Sequence, residues 1–264
     1  MIIIGEKINA SLPSVRAMIK KRDVAALLEL ARAQSAAGAG FIDVNVATDT
    51  GSRDDELRTI KWAVENIQEH IDTPLCIDSA DPAVLEAGLE ARRGRATLIN
   101  SVKADKELLA KVVPLAHHYE SLLVGLAMDQ TGIPETVEKR LKACEEIAGA
   151  CLSHKVPVES LYFDPLVLPV SSDVKQGVVT LNTLSEIKKR FPGANTVMGL
   201  SNVSYGLPKR PRLNRAFLHM AIYAGLDAAI MDPLDDDLML AVRTGEALIG
   251  KDRFCRRYMR IFRK

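Results

Sequence analysis

No apolar run in this chain approaches the roughly 18–20 residues that a membrane-crossing helix requires. Cysteine is sparse as well: Cys76, Cys144, Cys151 and Cys255 are scattered, without a paired metal or redox spacing. Cys144 and Cys151 fall in one helical pattern and read as small core residues. Charge of one sign is lacking, since 35 basic and 34 acidic residues leave a net charge of +1. Nothing global therefore draws the chain to nucleic acid or to an anionic membrane. No Pro-, Gly- or Ser-rich linker and no low-complexity segment interrupts it, so one domain over residues 1–264 is expected. The stretch "MIIIGEKIN" is short and carries its charges behind the apolar part, the wrong length and order for a secretory leader. A reducing cytoplasm is the expected location. What remains is 47% hydrophobic and 26% charged, the balance of a globular chain that buries a substantial core.

Against these absences stands a repeated pattern. Short aliphatic and β-branched runs recur down the chain: "MIIIGE", "FIDVNV", "LCIDS", "TLINS", "SLLVGLAM", "LYFDP", "TVMGLS" and "DAAIMDP". Helical patterns lie between them. Val137, Leu141, Cys144, Ile147 and Cys151 form one apolar stripe; Leu57, Ile60, Val64 and Ile67 form another, opened by a capping box of Ser52 and Asp55. "SADPAVLEAGL" offers Asp81 as N-cap with Pro82 at the first helical position. "PRLNRAFLHMAIYAG" puts Leu213, Phe217, Met220 and Ala224 on one face, with Gly225 as the stop. Strands apolar on both faces, alternating eight times with helices, argue a parallel sheet covered by helices. Eight regular units favour closure into a single (β/α)8 TIM barrel over an open doubly wound sheet.

In such a barrel the chemistry sits at the C-terminal strand ends and in the loops after them. Those positions read Glu6 and Asn9; Asp43 and Asn45; Asp78 and Ser79; Asn100 and Ser101; Met128 and Asp129; Asp164; Ser201 and Asn202; Asp232. Asp43 and Asn45 are two apart and point to one side of their strand. Asp81 and Asp232 precede prolines, where capping a helix competes with a functional role, and Asp129 opens the turn-rich "DQTGIP", where an Asx-turn competes. Asp43, Asp78 and Asp164 each end a strongly apolar run. A lone buried carboxylate is costly, so each requires a ligand or a fixed donor.

The five histidines, His70, His117, His118, His154 and His219, all fall in helical patterns, which argues against a metal centre. There is no Ser-His-Asp arrangement at strand ends and no phosphate-binding loop. Lys7 and Lys103 lie just past strands, as Schiff-base candidates or as ion-pair partners for nearby carboxylates. A cavity of Asp and Asn without metal or strong nucleophile suits a neutral planar heterocycle with adjacent N–H donors, such as the edge of a pterin.

The fragments "IIIGEKIN", "DVNV", "LCIDS", "LINS", "MDQTGIP", "LYFDPLVLPV", "GLSNVSYGLPKRPRLNRAFL" and "AGLDAAIMDP" carry a resemblance across essentially the whole chain. It resembles the pterin-binding methyltransferases that exchange a methyl group between tetrahydrofolate and a corrinoid protein. These include the methyltetrahydrofolate:corrinoid/iron–sulfur protein methyltransferases and the second methyltransferases of O-demethylase systems. The folate module of cobalamin-dependent methionine synthase is a more distant relative. The resemblance implies a dihydropteroate-synthase-like pterin barrel, with tetrahydrofolate or its 5-methyl form as substrate. It places pterin anchors on Asp78, Asn100 and Asp164, and a flexible asparagine approaching N5 on Asn202, beside Ser201. Glu6, Asn9, Asp43 and Asn45 match the family's polar floor. Arg210 and Arg215 match arginines of a late loop and helix, where holding the anionic folate tail and forming a structural salt bridge are both open. No metal bound by this chain is implied.

The implied reaction is methyl transfer between N5 and cobalt by SN2-like displacement. A dihydropteroate synthase is the same-fold rival, but strand 1 is followed by "NASLPSVRAM" and the chain ends "RYMRIFRK" without a histidine. A non-catalytic folate-binding subunit that docks a corrinoid protein is the other. The chain has no corrinoid signature of its own, so a separate corrinoid protein is the expected partner. A homodimer is implied by the resemblance. The basic run "KDRFCRRYMRIFRK" reads as a solvated helix face or as a surface for an acidic partner.

Overall fold

All eight apolar runs form strands: β1 (Ile2–Asn9), β2 (Phe41–Asn45), β3 (Leu75–Asp78), β4 (Thr97–Ala104), β5 (Leu122–Asp129), β6 (Leu161–Asp164), β7 (Asn195–Gly199) and β8 (Ala228–Met231). In this computed structural model, which describes residues 1–47, 51–94 and 96–263, they pair in parallel, in chain order. β8 returns to β1, and the sheet closes as a barrel. Closure leaves no unpaired strand edge.

Helices occupy the outside: α1 (Pro13–Lys21), α2 (Val24–Ala36), α3 (Arg53–His70), α4 (Pro82–Ala91), α5 (Lys106–His118), α6 (Val137–Ser153), α7 (Gln176–Arg190), α8 (Arg210–Ala224) and α9 (Asp236–Leu248). Their starts follow local chemistry. Ser52 and Asp55 form the reciprocal capping box of α3, and Asp81 accepts the Ala83 amide with Pro82 opening α4. Gly225 ends α8 in the left-handed region, φ 110°, where a side chain would be strained.

The face of α8 differs from the sequence expectation. Leu213 and Met220 are exposed, and the buried side carries Phe217, Leu218, Ala221 and Ile222. The reason lies in the neighbouring helix. Gly245 of α9 leaves so little room that an added Cβ would stand 2.7 Å from the Ile222 side chain, and this close approach sets the rotation of α8. Lys7 and Lys103 also depart from expectation, lying inside β1 and β4 rather than past them. Both strands run eight residues because each carries a register shift.

The barrel interior explains the site. One apolar cluster takes one residue from every strand: Ile4, Phe41, Cys76, Leu98, Val124, Tyr162, Val197 and Ala228. These plug the barrel. Side chains repeat every two residues along a strand, so the next inward layer, toward the C-terminal ends, is fixed by counting. It reads Glu6, Asp43, Asp78, Asn100, Leu126, Asp164, Gly199 and Ile230. A dry floor thus lies beneath a layer in which five of eight side chains are carboxyls or amides.

Candidate active site

That polar layer and the loops above it wall a cavity of about 670 Å³ at the C-terminal end of the barrel. Of the residues singled out from sequence, Glu6, Asn9, Asp43, Asp78, Asn100, Asp164, Ser201, Asn202 and Arg210 all line it. Asn45 is not on the wall, but its amide donates to Asp78 at 2.8 Å. Asn45, Asp78 and Asn100 are register partners across β2, β3 and β4, so one row of the sheet presents amide, carboxyl and amide side by side.

Beneath Asp78 lies Asp43, fully buried. Burial pushes the Asp43 carboxyl well above its ordinary range, and the neighbouring Asp78 adds to the rise, while hydrogen bonds with Cys76 and Asn100 oppose it. Burial also raises Asp78, against hydrogen bonds from Asn45 and from Asp43 itself. Two carboxyls can hydrogen-bond to each other only if one keeps its proton. Asp43, the deeper, is the carboxyl that burial pushes up more strongly, and Asp78 faces the cavity.

Asp164 closes the opposite wall. Burial raises its carboxyl to about 7, with the Leu166 amide and the Arg140 charge pulling the other way. The amide donates at 2.8 Å. Leu166 sits at φ 65°, a left-handed conformation uncommon for leucine, so this turn is strained and needs support. The support is Arg140 of α6, whose side chain is fully buried. Its guanidinium donates to the carbonyls of Pro165 (2.7 Å), Leu166 (2.9 Å) and Pro134 (2.9 Å) and to the Gln176 side chain (2.8 Å). The sequence reading passed over Arg140, although it stands four residues before Cys144 in line with the apolar stripe of α6.

The raised carboxyl has a stability consequence. Folding lifts Asp164 from its usual 3.8 to about 7, so the folded protein binds the extra proton. Its contribution favours folding below about pH 4 and is lost as pH rises toward 7. Asp164→Asn removes the penalty and keeps an acceptor for Leu166. We expect its ligand-free melting temperature to exceed the wild type's at pH 8 by several degrees and to match it at pH 4. Equal melting at pH 8 would show that Asp164 ionises without cost.

After β7 the chain makes a 3-10 turn, Leu200–Ser204. Arg210 pins it, donating to the Ser201 carbonyl at 2.7 Å and the Ser204 hydroxyl at 3.0 Å. The Asn202 side chain is exposed and has no hydrogen-bond partner among the described residues. It lies back over Gly199, where an added Cβ would come 3.2 Å from its amide nitrogen. Glycine at this position of the polar layer is what gives Asn202 its place.

Other singled-out residues have different places. Arg215 does not line the cavity; it pairs with Asp237 of α9. It lies five residues beyond Arg210, more than a third of a turn round the helix. Asp129 makes the Asx-turn with Thr131. Asp232 pairs with Lys7 at 2.8 Å and accepts the Leu234 amide, while Asp235 caps α9. Lys7 itself lines the cavity, turned in by the β1 register shift, where Gln34 accepts its amide at 2.9 Å. The basic run forms a final helix, α10 (Arg256–Phe262), packed on the end of α9. By the direction of βα units this is the barrel end opposite the cavity. Among the described residues no group of three His, Cys, Asp or Glu side chains is arranged to hold a metal ion.

Comparison with known proteins places this arrangement. A family model described as pterin binding enzyme matches residues 5–232. A methylcorrinoid:tetrahydrofolate methyltransferase of Eubacterium limosum is 35% identical over 266 residues, covering 100% of this chain and 97% of that protein. The methionine synthase of Mycobacterium tuberculosis is 31% identical over 88% of this chain, which spans only 20% of that longer protein. Among solved structures, a Yersinia pestis DHPS with a pterine-sulfa conjugate superposes with a TM-score of 0.70 at 17% identity, covering 95% of this chain and 93% of that one. The 7,8-dihydropteroate synthase of Vibrio fischeri gives 0.73 at 17% identity with the same coverage, and at this identity both establish the barrel fold alone. With the family model spanning the polar layer from β1 to β8 and a relative alike over its full length, the chain belongs to the pterin-binding enzyme family.

Proposed function

We propose that this protein transfers a methyl group between N5 of tetrahydrofolate and the cobalt of a separate corrinoid protein. One observation carries the reading above the others: the full-length likeness to a methylcorrinoid:tetrahydrofolate methyltransferase. The polar layer supplies the chemistry. A pterin edge offers ring N–H and 2-amino donors, which Asp78 and Asp164 accept, while Asn100 offers both a donor and an acceptor. The apolar floor beneath keeps water from competing for those bonds.

Methyl transfer here is a displacement between two bound substrates, so the protein contributes positioning and electrostatic support. Folate held on β3, β4 and β6 presents N5 toward the β7 turn and Asn202. The methyl-corrinoid, carried by its own protein, meets it at the open mouth. Arg210, which lines the cavity and holds the β7 turn, is the arginine offered to the anionic folate tail. Homodimer formation, a cytoplasmic location and one domain for residues 1–264 complete the proposal.

Calorimetry with tetrahydrofolate tests the binding half. The chelator-treated protein is expected to bind folate as the untreated one does. Asp78→Ala and Asp164→Ala each remove an acceptor from the cavity wall, at about 1–3 kcal/mol or roughly ten- to hundredfold in affinity. Unchanged affinity in both folded variants would reject these anchors.

A further inference from the structure

The cavity wall divides by what its side chains are bonded to. Asp43, Asp78 and Asp164 each have a fixed partner in Asn100, Asn45 and the Leu166 amide. Glu6 has none among the described residues, although it is half-buried and lines the same space. It stands on β1, separated from β7 only by β8 in the closed barrel. Asn202, at the end of β7, is also unbonded. The bonded side chains suit an edge that stays the same through a reaction. Among the described carboxyls of the wall, Glu6 is the one without such a partner, and it shares the cavity with the unbonded Asn202.

The charges facing Glu6 are already engaged. Lys7, beside it, pairs with Asp232 at the end of β8, and Arg210 of α8 is held by Ser201 and Ser204. Asp43 of β2 is within electrostatic range as well. Burial and Asp232 push the Glu6 carboxyl above its usual 4.5, while Lys7 and Arg210 hold it down. A carboxyl so placed changes protonation more readily near neutrality than an exposed glutamate does. The Asn202 amide, on the same cavity wall, cannot take a proton at all.

We propose that Glu6 exchanges the N5 proton of tetrahydrofolate during methyl transfer, a role resting on the reading that this cavity binds folate with N5 toward β7. With methyl-corrinoid as donor, the N5 lone pair forms the new nitrogen–carbon bond. The carbon–cobalt bond breaks with both electrons to cobalt. N5 then carries hydrogen, methyl and a positive charge, and its proton passes to the Glu6 carboxylate. In reverse, the Glu6 acid protonates methylated N5, which keeps the electron pair of its broken bond when cobalt(I) takes the methyl group.

The test is single-turnover transfer from a methyl-corrinoid to tetrahydrofolate over a pH series, with folate affinity measured separately by calorimetry. Wild-type rates should fall on the acid side more steeply than N5 protonation alone requires, because Glu6 must also be ionised. Glu6→Gln should lower the rate about a hundredfold and reduce the acid limb to the titration of N5 alone. Its folate affinity should stay within about threefold. Glu6→Asp, which keeps the titrating group, should retain the steeper limb at a reduced rate, and serves if the amide variant misfolds. A Glu6→Gln protein with wild-type rate and pH profile overturns the proposal, as does one whose only defect is weaker folate binding. Wild-type protein that binds folate and moves no methyl overturns the methyltransferase reading itself, a failure seen before any variant is made.

Discussion

Asn202→Ala is expected to transfer methyl groups about a hundredfold more slowly at saturating folate, with folate affinity changed by less than about threefold. The argument starts from the polar cluster that follows the apolar strand β7. The turn there does not depend on the Asn202 side chain. Its backbone is held by the Tyr205 amide on the Asn202 carbonyl at 3.1 Å and by Arg210, and alanine preserves both. The side chain lies unbonded over Gly199, free to swing toward a ligand. An amide that meets N5 only as its charge changes stabilises the transition state more than the ground state, and so acts on rate. Pre-steady-state transfer measured beside calorimetry separates the two. A near-normal rate would leave Asn202 with no part in the chemistry.

Arg140→Met is expected to lower unfolding free energy by about 3–5 kcal/mol in urea melts. The substitution nearly keeps the volume but leaves the Pro134 and Pro165 carbonyls and the Gln176 side chain without their Arg140 donor, and the Leu166 carbonyl with the Thr180 hydroxyl alone. The groups left without a donor then bear their full desolvation cost. Arg140→Lys should fall between, since one ammonium cannot span partners arranged for a fork. The Leu166 turn loses its main tie, so Asp164 is released and folate affinity falls with stability. A change under about 1 kcal/mol would mean that water or relaxation replaces the guanidinium.

Much of the site was legible because β-strands make side-chain direction a matter of counting. Phe41 and Asp43, Cys76 and Asp78, and Tyr162 and Asp164 are each two apart, so floor and polar layer are both encoded in local sequence. What was not legible depends on distant partners. Arg140 binds carbonyls of a loop some 25 residues away, and a carbonyl acceptor leaves no mark in sequence. The buried face of α8 is chosen by Gly245, 23 residues past Ile222. Arg215 looks like Arg210 in composition, and only helix rotation sends it to Asp237. Lys7 reads as lying past its strand until the register shift in β1 is known.

The central claim is that the polar layer of this barrel holds folate for exchange with a corrinoid protein. Its most direct measurement is stopped-flow spectroscopy of cobalt oxidation state, mixing the protein and tetrahydrofolate with a methylated corrinoid protein. The account predicts appearance of cobalt(I) in step with 5-methyltetrahydrofolate, dependent on this protein, and slowed in Asp78→Ala at subsaturating folate. A methyl-cobalt spectrum unchanged across candidate partners, with folate demonstrably bound, would contradict it.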